Sequence, residues 1–175
     1  LIEPRLNPPA LSLVNKRLEE IPLNGRPSDE DKRLPAFYHP HTLAEIISLK
    51  NWFLQREQDG TLDLTDKWIR MTAINRLTGH SSGFFSVYSL PPNQAVSIES
   101  QLRINERRSQ VPPCRDVKAI ISKKSKNLLS VGGAQAAVKP ALSTGPASET
   151  PGIADESVAL IVTSPPFLDI VNYQQ

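Results

Sequence analysis

Val158-Ala159-Leu160-Ile161-Val162 runs straight into Thr163-Ser164-Pro165-Pro166-Phe167, and the reading of this junction decides the fold. Three of the five apolar residues are β-branched, and the turn-forming Asp155-Glu156-Ser157 precedes them. A short apolar run bounded by turn residues fits a strand buried on both faces, as in a parallel sheet. Pro-Pro cannot continue a central strand, so the strand ends there. In open α/β sheets ligands bind outside the carboxyl ends of strands. The expected fold class is therefore α/β, with Ser164 to Phe167 where a site belongs.

Upstream, the pattern is helical. Pro4, Pro8 and Pro9 give an extended start, and Leu11, Val14 and Leu18 recur at helical spacing until Pro22 stops the helix. Leu23 to Pro35 reads as a charged loop. Pro40 suits a helix start, and Leu43, Ile46, Ile47, Trp52, Phe53 and Leu54 build an apolar face as far as Glu57. After the Asp59-Gly60 turn, Thr65 is the expected cap of a helix through Leu77, with Trp68, Ile69, Thr72 and Ile74 buried. Phe84 to Tyr88 reads as a short β-like run closed by Pro91-Pro92. Ser97 caps a helix to Arg108, and a last helix spans Asp116 to Leu129. Val131 to Pro151 is a small-residue loop.

Composition sets the bounds. Of 175 residues, 39% are hydrophobic and 22% charged, enough apolar content for a core. Mean hydropathy is −0.30, and no run approaches the roughly 20 apolar residues of a membrane span. The lone Cys114 excludes a disulfide framework and a cysteine zinc cage. No secretory leader is visible at Leu1, and a cytoplasmic location is expected. The overall charge of +2 hides an uneven distribution. Between Gln101 and Lys126 eight cations face only Glu106 and Asp116, a local excess of six that leaves the rest of the chain at −4. Arg103, Arg107, Arg108, Arg115, Lys123 and Lys124 are the candidate contacts to a polyanion. A solvated helix face is the plain alternative.

Ser-Pro-Pro-Phe has a chemical reading of its own. An exocyclic amino group on a nucleobase is a poor nucleophile, because its lone pair is delocalised into the ring. A site that methylates it must accept its N–H hydrogens. Ser164 supplies a hydroxyl acceptor, and the Pro165-Pro166 turn can direct the Pro165 carbonyl inward as a second. Phe167 can stack on a base taken out of the helix, a contact worth about 1–3 kcal/mol.

The stretch Val158 to Tyr173 resembles the catalytic strand and loop of the amino-specific DNA methyltransferases. Thr78 to Gln94, with Ile104-Asn105 and Arg115-Asp116-Val117, is similar to a segment that one bacterial and archaeal subgroup carries between its cofactor and catalytic motifs. The resemblance implies catalytic roles for Ser164, Pro165, Pro166 and Phe167. It also implies S-adenosylmethionine as methyl donor and a flipped base in double-stranded DNA as target. The Ser-Pro-Pro form points to cytosine N4 before adenine N6. A partial Rossmann-like methyltransferase sheet is then expected over 131–175, and a mostly helical, DNA-contacting insert over 1–130. Asp169 and Tyr173 line the pocket or serve the following turn.

The sequence departs from the family where the cofactor binds. The family's Asp-Pro-Phe-x-Gly-x-Gly loop is absent, and Gly132-Gly133 lacks its context. The expectation is a fragment, inactive alone, whose methionine pocket precedes Leu1. Methylation of RNA and non-catalytic nucleic-acid binding are the alternatives. On a partner restriction nuclease and on oligomeric state the residues are silent. Gly79-His80-Ser81-Ser82-Gly83 matches a nucleophile elbow in letters, but every histidine precedes Ser81 and the helix–strand order is reversed. His39-Pro40-His41 lacks further ligands at zinc spacing, so no metal is expected.

Overall fold

The computed structural model describes residues 2–26, 29–90, 96–130, 140–146 and 148–163. Six α-helices appear in order: α1 Glu3–Leu6, α2 Leu11–Glu20, α3 Pro40–Gln58, α4 Leu64–Ile74, α5 Ile98–Arg107 and α6 Val117–Ser130, with a 3-10 segment Asp29–Ala36 before α3. The chain divides into a unit Leu1–Ala137, which holds all of these, and a unit Val138–Gln175.

The helices form where the local chemistry asks for them. His39 caps α3, its ring accepting from the His41 N–H, and Pro40 fills the first position, where a missing N–H costs nothing. Asp63, not Thr65, caps α4. Its carboxylate accepts from the Asp66 N–H at 2.9 Å while Asp66 accepts from the Asp63 N–H at 3.3 Å, a reciprocal box that Thr65 cannot make. Ser97 caps α5 through the Ser100 N–H, and Asp116 accepts from the Ala119 N–H at the start of α6. The proline-rich start is not wholly extended, because Pro4 stands at the opening of the short α1.

One core joins α2, α3, α4 and α6: Val14, Leu18, Leu43, Phe53, Trp68, Ile69, Val117 and Ile121 are among its buried members. Trp68 donates its indole N–H to the buried Ser125 hydroxyl at 3.0 Å, so α4 and α6 share a satisfied polar contact inside an apolar interface. Ile74, expected inside, is 48% exposed at the last turn of α4. A second polar anchor ties α2 to α4. Asp66, with no exposed surface, accepts from Arg17 at 2.5 Å and from Arg56 at 2.6 Å.

Helix is the dominant secondary structure among the described residues, and no strand stands among them. The α/β, Rossmann-like expectation is overturned. Phe84 to Val87 are buried on every side rather than alternately, and the segment is pinned by single contacts instead of a ladder. The Phe85 N–H donates to the Arg76 carbonyl, the Val87 N–H to Phe37 and the Ser89 N–H to Gly79. Gly79 and Tyr88 make one isolated bridge. A side chain on Gly79 would lie 2.5 Å from the Phe84 ring, so this loop closes only over glycine.

In the second unit, described by itself, Val158 to Val162 is not a strand. Val158, Leu160, Ile161 and Val162 are 50–87% exposed. A strand exists through the ladder it shares with a neighbour, and the described residues offer this run none. The other described residues of this unit are turns and irregular chain, with the Ser157 hydroxyl donating to the Ala154 carbonyl at 2.6 Å. Among the described residues no helix is long and apolar enough to cross a membrane.

Tyr38 gives the helical core an alkaline limit. Burial pushes its hydroxyl up from 10.0 to about 12, because the phenolate would be desolvated. A raised acid stabilises the fold fully below its unfolded value and loses that contribution as pH rises through the folded one. Stability is expected to fall by about 2–3 kcal/mol between pH 10 and 12. Urea unfolding at the two pH values checks this, with Tyr38→Phe removing most of the loss.

Candidate nucleic-acid interface

Ser164, Pro165, Pro166 and Phe167 lie outside the described residues, as do Asp169 and Tyr173. The cation set, by contrast, is fully placed, and the structure divides it. Arg103, Arg107 and Arg108 are exposed on and just after α5. Arg108 lies 3.8 Å over the Tyr88 ring, and the Arg103 Nε donates to the Glu99 carbonyl at 3.4 Å. The other three, Arg115, Lys123 and Lys124, line a groove of about 440 Å³ beside α6.

Arg76 joins them there. It comes from the turn after α4, far upstream in sequence, and its guanidinium lies 4.2 Å over the Phe84 ring. Stacking of this kind holds a cation in one orientation. Burial disfavours the charge and lowers the Arg76 pKa from its ordinary value. Arg115 is fixed by its backbone instead. Its N–H donates to the Thr42 hydroxyl at 2.7 Å, and the same hydroxyl donates back to the Arg115 carbonyl at 3.1 Å. Thr42 is buried on α3, so this clamp ties the start of α6 to the core. The Nε atoms of Arg76 and Arg115 are both buried and make no protein hydrogen bond.

Four cations thus share one concavity, and among the described residues none has a carboxylate partner within salt-bridge distance. Asp116 also lines the groove, but its carboxylate caps α6 at Ala119. Ser82 adds a hydroxyl and Asn127 an amide. Four cations against the single carboxylate of Asp116, with the Arg76 side chain held over Phe84, leave the groove net positive, an arrangement that attracts an anion.

Other residues singled out in the sequence have structural work. Asn105 donates to the Ala36 carbonyl at 2.7 Å and accepts from Gln101 and Gln110. That network fixes α5 against the end of the 3-10 segment. Ser81 is exposed and follows α4, without the strand and helix of a nucleophile elbow. His39 is a helix cap, and among the described residues no three His, Cys, Asp or Glu side chains are placed to hold a metal ion.

Two concavities of the helical unit do not suit S-adenosylmethionine. A concavity of about 280 Å³ between α3 and α4 is lined by apolar residues with Lys50 and Arg70, and no carboxylate lines it to accept from a ribose. The groove beside α6 is cationic and repels a sulfonium. No protein-family model, curated protein or solved structure matches the chain.

Proposed function

We propose that this chain serves an S-adenosylmethionine-dependent methyltransferase acting on the exocyclic amino group of a base in double-stranded DNA. The preferred target is cytosine N4, with adenine N6 as the other. The observation that carries the reading is the sequence Thr163-Ser164-Pro165-Pro166-Phe167: two acceptors for an amino group and an aromatic face within five consecutive residues. The groove of Arg76, Arg115, Lys123 and Lys124 supports it from the side of the substrate, since phosphate contacts position a duplex before a base is flipped. Ser164 and the Pro165 carbonyl hold the amino group, Pro166 keeps the turn rigid, and Phe167 stacks on the ring. S-adenosylmethionine supplies the methyl group from residues other than those described. A cytoplasmic location goes with this reading, and a restriction nuclease is the partner it invites.

A second reading is a nucleic-acid-binding module without catalysis. Two observations favour it: the cationic groove is complete within the helical unit, and Val158 to Val162 pairs with no strand among the described residues.

The test uses the natural full-length polypeptide with labelled S-adenosylmethionine, duplex DNA and structured RNA, followed by digestion and identification of nucleosides. N4-methylcytosine is expected from the wild type. Phe167→Ala should lower its yield about 5- to 100-fold, the range that lost base stacking implies. N6-methyladenine would change the target base, and methyl in RNA alone would change the substrate. DNA binding with no transfer to either nucleic acid would leave the binding module.

A further inference from the structure

We propose that the groove beside α6 is a phosphate clamp, in which Arg76, Arg115, Lys123 and Lys124 together grip one backbone phosphodiester of a bound DNA strand. The clamp deepens the DNA-contact part of the function proposed above and is independent of methyl transfer.

The size is the first argument. A volume of about 440 Å³ lies within the roughly 300–1,000 Å³ of small-ligand sites. It admits one phosphate with its sugar rather than the width of a duplex. The chemistry is the second. Guanidinium groups present planar forks, ammonium groups point charges, and Ser82 a hydroxyl, a set that meets the several acceptors of a tetrahedral phosphate. Partial preorganisation is the third. The Phe84 ring holds the Arg76 guanidinium, and the Thr42 clamp fixes the Arg115 backbone, so an entering anion meets one cation already oriented.

The lack of direct ion pairs is what separates this groove from a solvated face. Arg17 and Arg56 elsewhere in the chain each meet a carboxylate within 3 Å, whereas the groove cations meet none among the described residues. Two buried Nε atoms remain without a partner in the same place. The fold brings Arg76 to Arg115, Lys123 and Lys124 with Asp116 as the one carboxylate in the lining, and a phosphate offsets the positive charge that remains. Arg103, Arg107 and Arg108 do not line the groove and form no part of the clamp.

The experiment uses the full chain and a fluorescein-labelled duplex, with affinity measured as a function of salt. Neutralising all four residues (Arg76→Gln, Arg115→Gln, Lys123→Gln, Lys124→Gln) is expected to lower the slope of log affinity against log salt by about one, because the four share one phosphate. Lys123→Gln with Lys124→Gln alone stands on the exterior of α6 and keeps the test valid if the fourfold variant does not fold. That pair should weaken binding about tenfold. The loss caused by the lysine pair should be the same size in an Arg103→Gln, Arg107→Gln background, because those arginines lie outside the groove. Cys114 is exposed and lines the groove, so the duplex should slow its alkylation by iodoacetamide in the wild type.

A slope reduced by nearly four would mean separate contacts and overturn the clamp. So would unchanged binding of the lysine pair, a loss confined to the Arg103 and Arg107 variant, or Cys114 alkylation indifferent to DNA. Displacement of the duplex by a poly-glutamate peptide at equal charge would overturn phosphate as the ligand. None of these readings requires a methyl donor. Methylation without any effect of the groove variants would remove the clamp alone, and groove effects without methylation would remove the methyltransferase reading alone.

Discussion

Asp66→Ala is expected to destabilise the chain by about 3–5 kcal/mol, the cost of removing one partner from a buried ion cluster. Asp66 has no exposed surface, and its two oxygens meet Arg17 at 2.5 Å and Arg56 at 2.6 Å. The three residues come from α2, α3 and α4, so one carboxylate joins three helices. Without it Arg56 keeps only the Thr61 carbonyl at 2.7 Å, so an enclosed guanidinium on α3 loses its carboxylate, while Arg17 retains Asp63 and Glu20 at 2.9 Å. Urea unfolding measures the loss directly. Replacing the trio by Met, Met and Leu should recover much of it, since apolar groups of similar volume need no counter-charge. A loss below about 1 kcal/mol would show that water already compensates the cluster.

The same junction sets the acid limit. Burial works to raise the Asp63 carboxyl, but hydrogen bonds from the Asp66 N–H and from Arg17, with the Arg17 charge, outweigh it and hold the group below 3.8. Arg17 is raised in turn: burial opposes its charge, and Asp66 and Asp63 prevail. A depressed carboxyl contributes stability above its unfolded value and loses it as pH falls through the folded one. The α2–α4 contact therefore weakens below pH 3.8, not in the neutral range.

The legibility of this fold follows the range over which each feature is decided. Helices α2, α3, α5 and α6 are readable because apolar period and caps such as Pro40 and Ser97 act within a turn or two. Asp66 is not, because its partners lie on other helices and a carboxylate in the sequence looks solvated. Val158 to Val162 and Phe84 to Tyr88 mislead for one reason. Apolar, β-rich composition records a demand for burial, whereas a strand also needs a neighbour, which lies elsewhere in the chain. The basic stretch from Gln101 to Lys126 was visible as charge. Its division was not, since only the packing of α6 against α4 brings Arg76 to Arg115, Lys123 and Lys124 and leaves the α5 arginines outside. A sequence window cannot find Arg76, whose only local sign is the aromatic Phe84 eight residues on.

Phe85→Ala should have an effect of similar size, about 3–5 kcal/mol, for a different physical reason. Phe85 is 1% exposed within the core and also walls the apolar concavity of about 280 Å³ beside Phe53 and Leu77. Truncation would merge the lost ring volume with that existing space. Walls that already leave a gap are poorly able to collapse further, which places the cost in the upper half of the range. The backbone contact from the Phe85 N–H to the Arg76 carbonyl, 2.8 Å, survives the substitution, and Phe84 remains beneath the Arg76 guanidinium. Affinity for DNA, measured well below the lowered melting temperature, should therefore stay within about twofold of the wild type. Loss of both stability and affinity would instead show that the loop from Gly79 to Ser89 moves as one body with Phe85. The ring would then support the cationic groove as well as the core.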